Sequence, residues 1–329
     1  MIRIGLLGAS RIAPQAVIQP AADRDDCIVH AVACRDAARG QAYATEHNIL
    51  HVETSYEALI ARDDIDLIYN ALPPNRHCEL SILAAQHGKA VLCEKPFAMN
   101  AAEATRMVDA ARDADTVLIE AFHYRFHPAF LEFEGLAKSG KLGDIEEVRG
   151  VFNVHIPNCD GELRYRKDLG GGALMDLGCY PLHALRTLLG CEPTLITAEN
   201  HFEDEHDVAV ASVAELDFNG VAGFVECDMS TGAIYENHID IIGTHGTARL
   251  SRPVHPYRWN PHLGFEISTV IDGEKSLKTL HNSPDAYKRS TYAYQLDHVI
   301  DVMHGDAKPL TGGADAVATM RAIDSILAQ

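Results

Sequence analysis

The 329-residue chain lacks most of the features that assign a protein to a class at first sight. No apolar run approaches transmembrane length, so a membrane span is not expected. Its eight cysteines include no CxxC pair, and several sit in apolar runs as small hydrophobes. Reduced thiols therefore fit better than a disulfide frame. No basic block offsets a formal charge of −19, which repels nucleic acid and anionic membrane surfaces. Internal repeats, low-complexity tracts and linkers rich in Pro, Gly or Ser are absent too. The first strand-like run starts at Ile2 and leaves no room for a secretory signal, so a cytoplasmic protein is expected. What remains is a globular chain of two-domain length, with 47% hydrophobic and 23% charged residues. Its partner is expected to be a small molecule, and any anionic ligand must be met by local donors.

Ile2 to Leu7 is almost wholly apolar, as a strand buried on both faces should be. A turn at Gly8-Ala9-Ser10 leads to a helix over 11–19 with Pro14 in its first turn. A strand over 28–34 and a helix capped by Asp36 and ending near His47 come next. Further strands are expected over 65–72, 90–93 and 117–122, with helices over 75–88 and 101–114. This alternation predicts a parallel, doubly wound sheet over residues 1–122. Beyond that point the rhythm changes. A helix over 128–139, a strand over 145–155, a Gly-rich loop and another helix precede strands with no helices between them. Asn219-Gly220, Gly243 to Gly246 and Asp272-Gly273 read as hairpin turns. Residues 123–329 are thus expected to form an α+β domain around a large, mostly antiparallel sheet, closed by helices over 291–304 and 314–327.

In open α/β sheets the ligand crevice lies at the strand carboxyl ends, and four stretches there carry chemistry. From Gly8 the chain follows G-x-G-x-x-G/A, with Ser10 at the second glycine and Ala13 at the third. Such a turn must bring backbone N–H groups and a helix N-terminus to a pyrophosphate, which makes Gly8, Ser10, Arg11 and Ile12 cofactor-binding candidates. The second strand ends on neutral Cys34 and then Arg35. An arginine there can stack on adenine and fork onto a 2′-phosphate, which favours NADP, with NAD as the alternative. Pro73-Pro74 forces an irregular exit beside the nicotinamide half, with Pro73 and His77 as contacts. Glu94-Lys95-Pro96 ends an apolar strand on an acid, a base and a proline. The proline keeps Lys95 out of the helical region and so presents it, beside Glu94, to the crevice.

Farther on, three glycines (170–172) precede Asp176, Tyr180 and His183, whose i, i+4, i+7 spacing puts them on one face of a helix. An acid, a phenol and an imidazole on a common face form a reasonable proton-transfer array. Arg164, in the basic stretch before the glycines, is a candidate to reach a polyol or a phosphate. His123 and His127 share an i, i+4 spacing, but Pro128 abuts them and no acid of suitable placement completes a set, so no metal is expected. The acidic segment 199–207, with His201 and His206, reads as a solvated loop or strand edge.

In combination, the Gly8 turn, Glu94-Lys95-Pro96, Glu120 to Pro128, Gly170 to Tyr180 and Pro309-Leu310-Thr311 resemble the Gfo/Idh/MocA family over the whole chain. That family is named for glucose–fructose oxidoreductase, inositol dehydrogenase and the MocA protein. The resemblance implies a Rossmann domain over 1–122 and a substrate-binding domain over 123–329, whose open sheet would join a homodimer or homotetramer. It also implies that Lys95 lies near nicotinamide and substrate. Four residues after Asp176 the family often has histidine; Tyr180 stands there instead, as in the subgroup of dimeric dihydrodiol dehydrogenase and xylose dehydrogenase. His123 replaces that subgroup's more usual Met or Trp and leaves the substrate open. The expected activity is hydride transfer between NADP and an aldose, polyol or diol-type substrate, with Tyr180 exchanging the hydroxyl proton. Lys95 would bring the phenol down from its ordinary pKa of about 10. Asp176 would hold a substrate hydroxyl or orient Lys95, with His77 and Arg164 lining the site. A non-catalytic dinucleotide-binding regulator, an aldose–aldose oxidoreductase and an NAD-dependent glycosidase stay open as alternatives.

Overall fold

Six short runs of mostly apolar residues pair as parallel strands: β1 (Ile2–Leu7), β2 (Cys27–Ala33), β3 (His51–Glu53), β4 (Leu67–Asn70), β5 (Ala90–Cys93) and β6 (Leu118–Glu120). Their order, β3-β2-β1-β4-β5-β6, reverses direction between β1 and β4. Strands β4, β5 and β6 are buried throughout, and only Arg3 of β1 is exposed. Helices cover the sheet, and their starts are set by side-chain caps. Asp36, Ser55 and Asn100 accept from the N–H groups of Arg39, Ala58 and Glu103 at 3.0, 3.2 and 2.9 Å, each contributing about 1 kcal/mol. The computed structural model describes residues 1–203, 207–254, 264–279 and 289–329.

Two differences from the sequence reading concern this sheet. The expected helix over 11–19 begins only at Pro14, as a wide π turn (Pro14–Ile18) running into Gln19–Ala22. Ser10 Oγ accepts the Ala13 N–H at 3.2 Å and holds residues 10–13 as a turn. Strand β3 and the helix Tyr56–Ile60 were not anticipated; at three and five residues they are too short to show a period.

Eight strands build the second sheet: β7 (Ile145–Asn153), β8 (Thr194–Phe202), β9 (Ala209–Phe218), β10 (Val221–Asp228), β11 (Glu236–Gly243), β12 (Gly246–Ser251), β13 (Glu266–Ile271) and β14 (Glu274–Thr279). The order is β14-β13-β12-β11-β7-β10-β9-β8, antiparallel except for the β7–β10 pair. Asn219-Gly220 and Asp272-Gly273 form hairpin turns with both residues at positive φ, +56° and +98° in the first, +50° and +83° in the second. The acidic stretch at 199–202 is the end of edge strand β8, while His206 lies outside the described residues. Among the described residues no helix is long and apolar enough to cross a membrane. All eight cysteines are free thiols.

The chain divides into two compact units, Met1–Phe122 with Thr291–Met320 and His123–Ser290 with Arg321–Gln329. A single division after residue 122 therefore misses the returning segment. Tyr292, Leu296, Val299 and Ile300, on the helix Thr291–His304, join the core that contains Ile4, Leu6 and Val17. Asp297 on its flank pairs with Arg24. Thr311 donates to the carbonyl of Glu120 at 2.7 Å, which fastens the Pro309-Leu310-Thr311 motif to the end of β6. These are contacts across some two hundred residues or more, invisible to local pattern. Leu296→Ala should lower the unfolding free energy by about 2–5 kcal/mol, as truncation of a core leucine does. Denaturant unfolding followed by circular dichroism measures it; a loss under about 1 kcal/mol would argue against a core role.

Candidate active site

Gly8 sits where β1 ends beside β4, at the reversal of strand order. Its φ of +92° favours glycine, and a Cβ there would also press on Leu72 Cδ2 at 2.9 Å. The turn is braced from its outer side. Tyr43 donates its hydroxyl to the Ser10 carbonyl at 3.0 Å, and Arg39 reaches the Ala9 carbonyl at 2.7 Å. Burial, with Glu46 adding to it, pushes the Tyr43 phenol up to about 12, so it remains a donor. On the inner side, no described residue accepts from the N–H groups of Ser10, Arg11 or Ile12. Arg11, Arg35 and Arg39 are exposed around the same turn. Uncommitted amides, a helix start and local cations fit a pyrophosphate and an adjoining phosphate. Arg39 was not singled out from sequence; its signal was a position three residues after the Asp36 cap, on the first turn of the helix.

The neighbouring strand ends form a second group. Lys95 is half-buried and its bond to Pro96 is cis. Glu94 accepts from the hydroxyl of buried Tyr69 at 2.6 Å. Pro73 is half-buried and opens the three-residue turn Pro74–Arg76. Within that turn Asn75 Oδ1 is buried without a hydrogen-bond partner, a feature that sequence reasoning passed over. His77, expected as a cofactor and substrate contact, is turned inward instead. Its side chain is wholly buried, with Nδ1 3.0 Å from the Pro96 carbonyl and Nε2 2.7 Å from that of Leu72. Its two ring nitrogens face carbonyls of the two loops that carry Pro73 and Lys95, and the neutral imidazole donates its single N–H to one of them.

In the second unit the expected Asp176–Tyr180–His183 face does not act as one row. Residues Leu174–Gly178 form a π turn, and the regular helix starts only at Cys179. Asp176 accepts from Arg164 Nε at 2.6 Å, and Glu162 accepts from the same guanidinium at 2.9 Å. This is possible because Gly171 passes so close to the Arg164 carbonyl that a Cβ there would lie at 2.5 Å. The Asp176 carboxylate, together with Glu162, raises the Arg164 pKa against the effect of burial. Arg164 thus meets two carboxylates of its own chain and holds Asp176, with about a third of its side chain still exposed. Tyr180 is 6% exposed, with its hydroxyl 3.4 Å from His123 Nε2. His183 pairs with a different phenol, the Tyr124 hydroxyl, at 2.6 Å from Nδ1. Aromatic rings of Phe152, Tyr124 and His123 meet that of Tyr180 edge-on, at centroid distances of 5.9, 6.0 and 5.8 Å. His123 is therefore the histidine that joins the Tyr180 environment. His127 caps the following helix through Ala129 N–H, at 3.1 Å.

Among the described residues one His/His/Asp group has donor atoms close enough to suggest a metal: His30, His51 and Asp64, within 4.8 Å of one another. Arg62, however, donates to both Asp64 oxygens, at 2.8 and 2.7 Å. The carboxylate is already neutralised, and the group reads as an ion-pair network.

A six-stranded parallel sheet in this order, with a glycine turn at its switch point, defines a dinucleotide-binding domain. The family model for an oxidoreductase family with an NAD-binding Rossmann fold matches residues 2–122, and that of the GFO/IDH/MocA C-terminal domain matches residues 130–249. The chain belongs to the GFO/IDH/MocA oxidoreductase family. It is 32% identical over 323 residues to D-xylose 1-dehydrogenase (NADP(+)) 2 of Haloferax volcanii, covering 98% of this chain and 95% of that one. It is 30% identical over 335 residues to a trans-1,2-dihydrobenzene-1,2-diol dehydrogenase of Xenopus tropicalis, covering 99% and 97%. Among solved structures, the 3-ketoreductase KijD10 of Actinomadura kijaniata, in complex with NADP and TDP-benzene, superposes with a TM-score of 0.88 at 26% identity, covering 99% of this chain and 97% of that one.

Burial pushes the His77 imidazole down, and its carbonyl contacts oppose the shift. The unfolded chain therefore takes up a proton near pH ~6.5 that the folded chain refuses. The His77 contribution to stability is full above that pH and falls as the pH drops below it. Replacing His77 with Gln should flatten stability against pH between about 6.5 and 5 by up to one proton. Urea unfolding at half-unit pH steps reads this slope, and an unchanged slope would exclude a neutral buried imidazole.

Proposed function

We propose that this protein is an NADP-dependent oxidoreductase that transfers a hydride between nicotinamide and an aldose, polyol or diol-type substrate. The observation that carries the reading is the Gly8 turn: free amides on Ser10, Arg11 and Ile12, ringed by Arg11, Arg35 and Arg39. In a chain of net charge −19, Arg11 after β1 and Arg35 and Arg39 after the neighbouring β2 make a local cation well for phosphate. Neutral Cys34 at the end of β2, where an acid would select NAD, supports NADP. Relatives named for NADP-dependent xylose oxidation and for diol oxidation support the substrate class.

Bound nicotinamide would supply the hydride acceptor in oxidation and the donor in reduction. Tyr180 takes the substrate hydroxyl proton in oxidation and returns it in reduction. A phenol is a poor base at neutral pH, and a cation beside it in the assembled site would favour its ionised form, the part we assign to Lys95. Asp176, held by Arg164, fixes the loop before Tyr180 rather than exchanging protons itself. Around Tyr180 the edge-on rings of Phe152, Tyr124 and His123 fix the position of its phenol. We further propose a cytoplasmic homo-oligomer associating through the open sheet of the second unit.

A spectrophotometric screen of pentoses, hexoses and diols, with NADP and NAD in parallel, tests the reading. Reduction of NADP by at least one aldose or diol is expected; no nicotinamide reduction with any member would overturn it. Lys95→Met and Tyr180→Phe should each lower kcat by roughly 10²–10⁴-fold, with NADPH binding by fluorescence titration retained. Arg35→Ala should reduce the preference for NADPH over NADH by about tenfold or more, the scale of one charge-assisted phosphate contact. Equal effects on the two cofactors would remove Arg35 from 2′-phosphate recognition.

A further inference from the structure

Strand β11 carries a polar residue where its pattern calls for an apolar one. Asn237, Ile239 and Ile241 point to the same face and are 5, 2 and 0% exposed. They stand opposite Phe152, Gly150 and Val148 of β7, an otherwise apolar row. Among the described residues neither Nδ2 nor Oδ1 of Asn237 has a hydrogen-bond partner. A buried amide without partners costs stability, and such a position in a strand core is normally filled by a β-branched or aliphatic side chain.

The amide borders a small pocket, open in part to solvent and with enclosed room for about one water or one hydroxyl, whose other walls include Phe152, Tyr180, Pro181 and Val254. Tyr124 also lines it, but the Tyr124 hydroxyl is engaged with His183. Within the second unit, Asn237 therefore offers an unused donor and an unused acceptor beside the Tyr180 ring. A carbinol group, which donates and accepts at one oxygen and presents apolar C–H faces, complements this arrangement of one amide among aromatic and proline surfaces.

We propose that Asn237 is a specificity-determining residue that hydrogen-bonds a hydroxyl of the substrate, on a carbon next to the one oxidised or reduced. This rests on the reading of the protein as a polyol or aldose oxidoreductase with Tyr180 at the reacting hydroxyl. A site built to pair a hydroxyl rejects the analogue that lacks it far more strongly than an apolar pocket rejects an extra methylene.

The test compares wild type with Asn237→Leu, which suits the apolar row, and Asn237→Asp, which keeps the acceptor. D-xylose serves as probe, with its monodeoxy analogues and saturating NADPH or NADP. Isothermal titration should give D-xylose binding at least tenfold weaker in Asn237→Leu, with partial recovery in Asn237→Asp. Thermal melting of Asn237→Leu without sugar should match or exceed wild type, and its NADPH titration should be unchanged. In wild type one monodeoxy analogue should lose at least tenfold in kcat/KM relative to D-xylose, mostly through KM. In Asn237→Leu that analogue and D-xylose should become equivalent. If wild type oxidises D-xylose and the leucine variant keeps the same KM and the same deoxy discrimination, the inference is overturned while the oxidoreductase reading stands. In that case the amide holds only an internal water. If wild type binds D-xylose without turnover, and binding is lost in the leucine variant, the assignment of Asn237 stands and the reaction is wrong. Absence of both binding and turnover of D-xylose in wild type overturns the assignment as made.

Discussion

Burial of the parallel sheet on both faces is the constraint from which the first unit's chemistry follows. With β4, β5 and β6 closed over along their whole length, a polar side chain can reach a ligand only where a strand stops. The Gly8 turn, Pro73, Asn75, Glu94 and Lys95 all follow the carboxyl ends of β1, β4 and β5. Because β1 and β4 run to opposite sides of the switch point, their connecting segments diverge and open the crevice between them. His77 then has a structural reason to be buried: it bridges the Leu72 and Pro96 carbonyls, and so fixes the spacing of two loops that leave different strands. A histidine in that position looks like a ligand contact in sequence, since it follows Pro-Pro at a strand end. Its two ring nitrogens decide otherwise.

Electrostatics supports the same division between scaffold and site. A charge of −19 opposes any anion at long range, so a phosphate-bearing cofactor needs strong short-range donors. The Gly8 turn has them in its amides and in Arg11, Arg35 and Arg39. Elsewhere arginines are mostly spent inside the chain. Arg62 neutralises Asp64 and Glu53, Arg24 neutralises Asp26 and Asp297, and Arg164 holds Asp176 and Glu162. An arginine that is both exposed and beside uncommitted amides is thus informative in a way that a paired one is not.

The parts of the fold legible in sequence were those written by local chemistry. Strand β5 and the helices Thr291–His304 and Ala314–Leu327 fell at their expected bounds. The Asn219-Gly220 and Asp272-Gly273 hairpins followed from the left-handed conformations those pairs tolerate. What escaped was non-local or too short. The return of Thr291–Met320 to the first unit depends on packing against Ile4 and Leu6, which no window of neighbouring residues contains. The π turn over Leu174–Gly178 has no period of its own, so regular helical spacing could not show that Asp176 lies on that turn while Tyr180 and His183 lie on the helix after it. His123 was weighed as a metal ligand because of its distance to His127 in sequence. Its placement beside Tyr180 requires a contact across fifty-seven positions.

Hydrogen-bond satisfaction separates structural from ligand-facing polar groups better than residue type does. Arg164, His77 and Glu94 are plausible site residues by chemistry, and each has bonds within the fold, as Tyr180 and Arg39 also do. The Ser10, Arg11 and Ile12 amides, Asn75 Oδ1, the Gln295 amide and the Asn237 amide do not. Gln295 lies on the helix packed against the Pro14–Ile18 turn, and Asn75 on the turn after β4, so in the first unit such groups lie in or pack beside the segments that follow Gly8 and β4. In the second unit Asn237 lines the pocket that contains Tyr180. An unpaired group in a random core position carries a cost with no return and would be replaced by an apolar side chain. Asn237, unpaired beside Tyr180, is where a ligand supplying the missing partner would offset that cost.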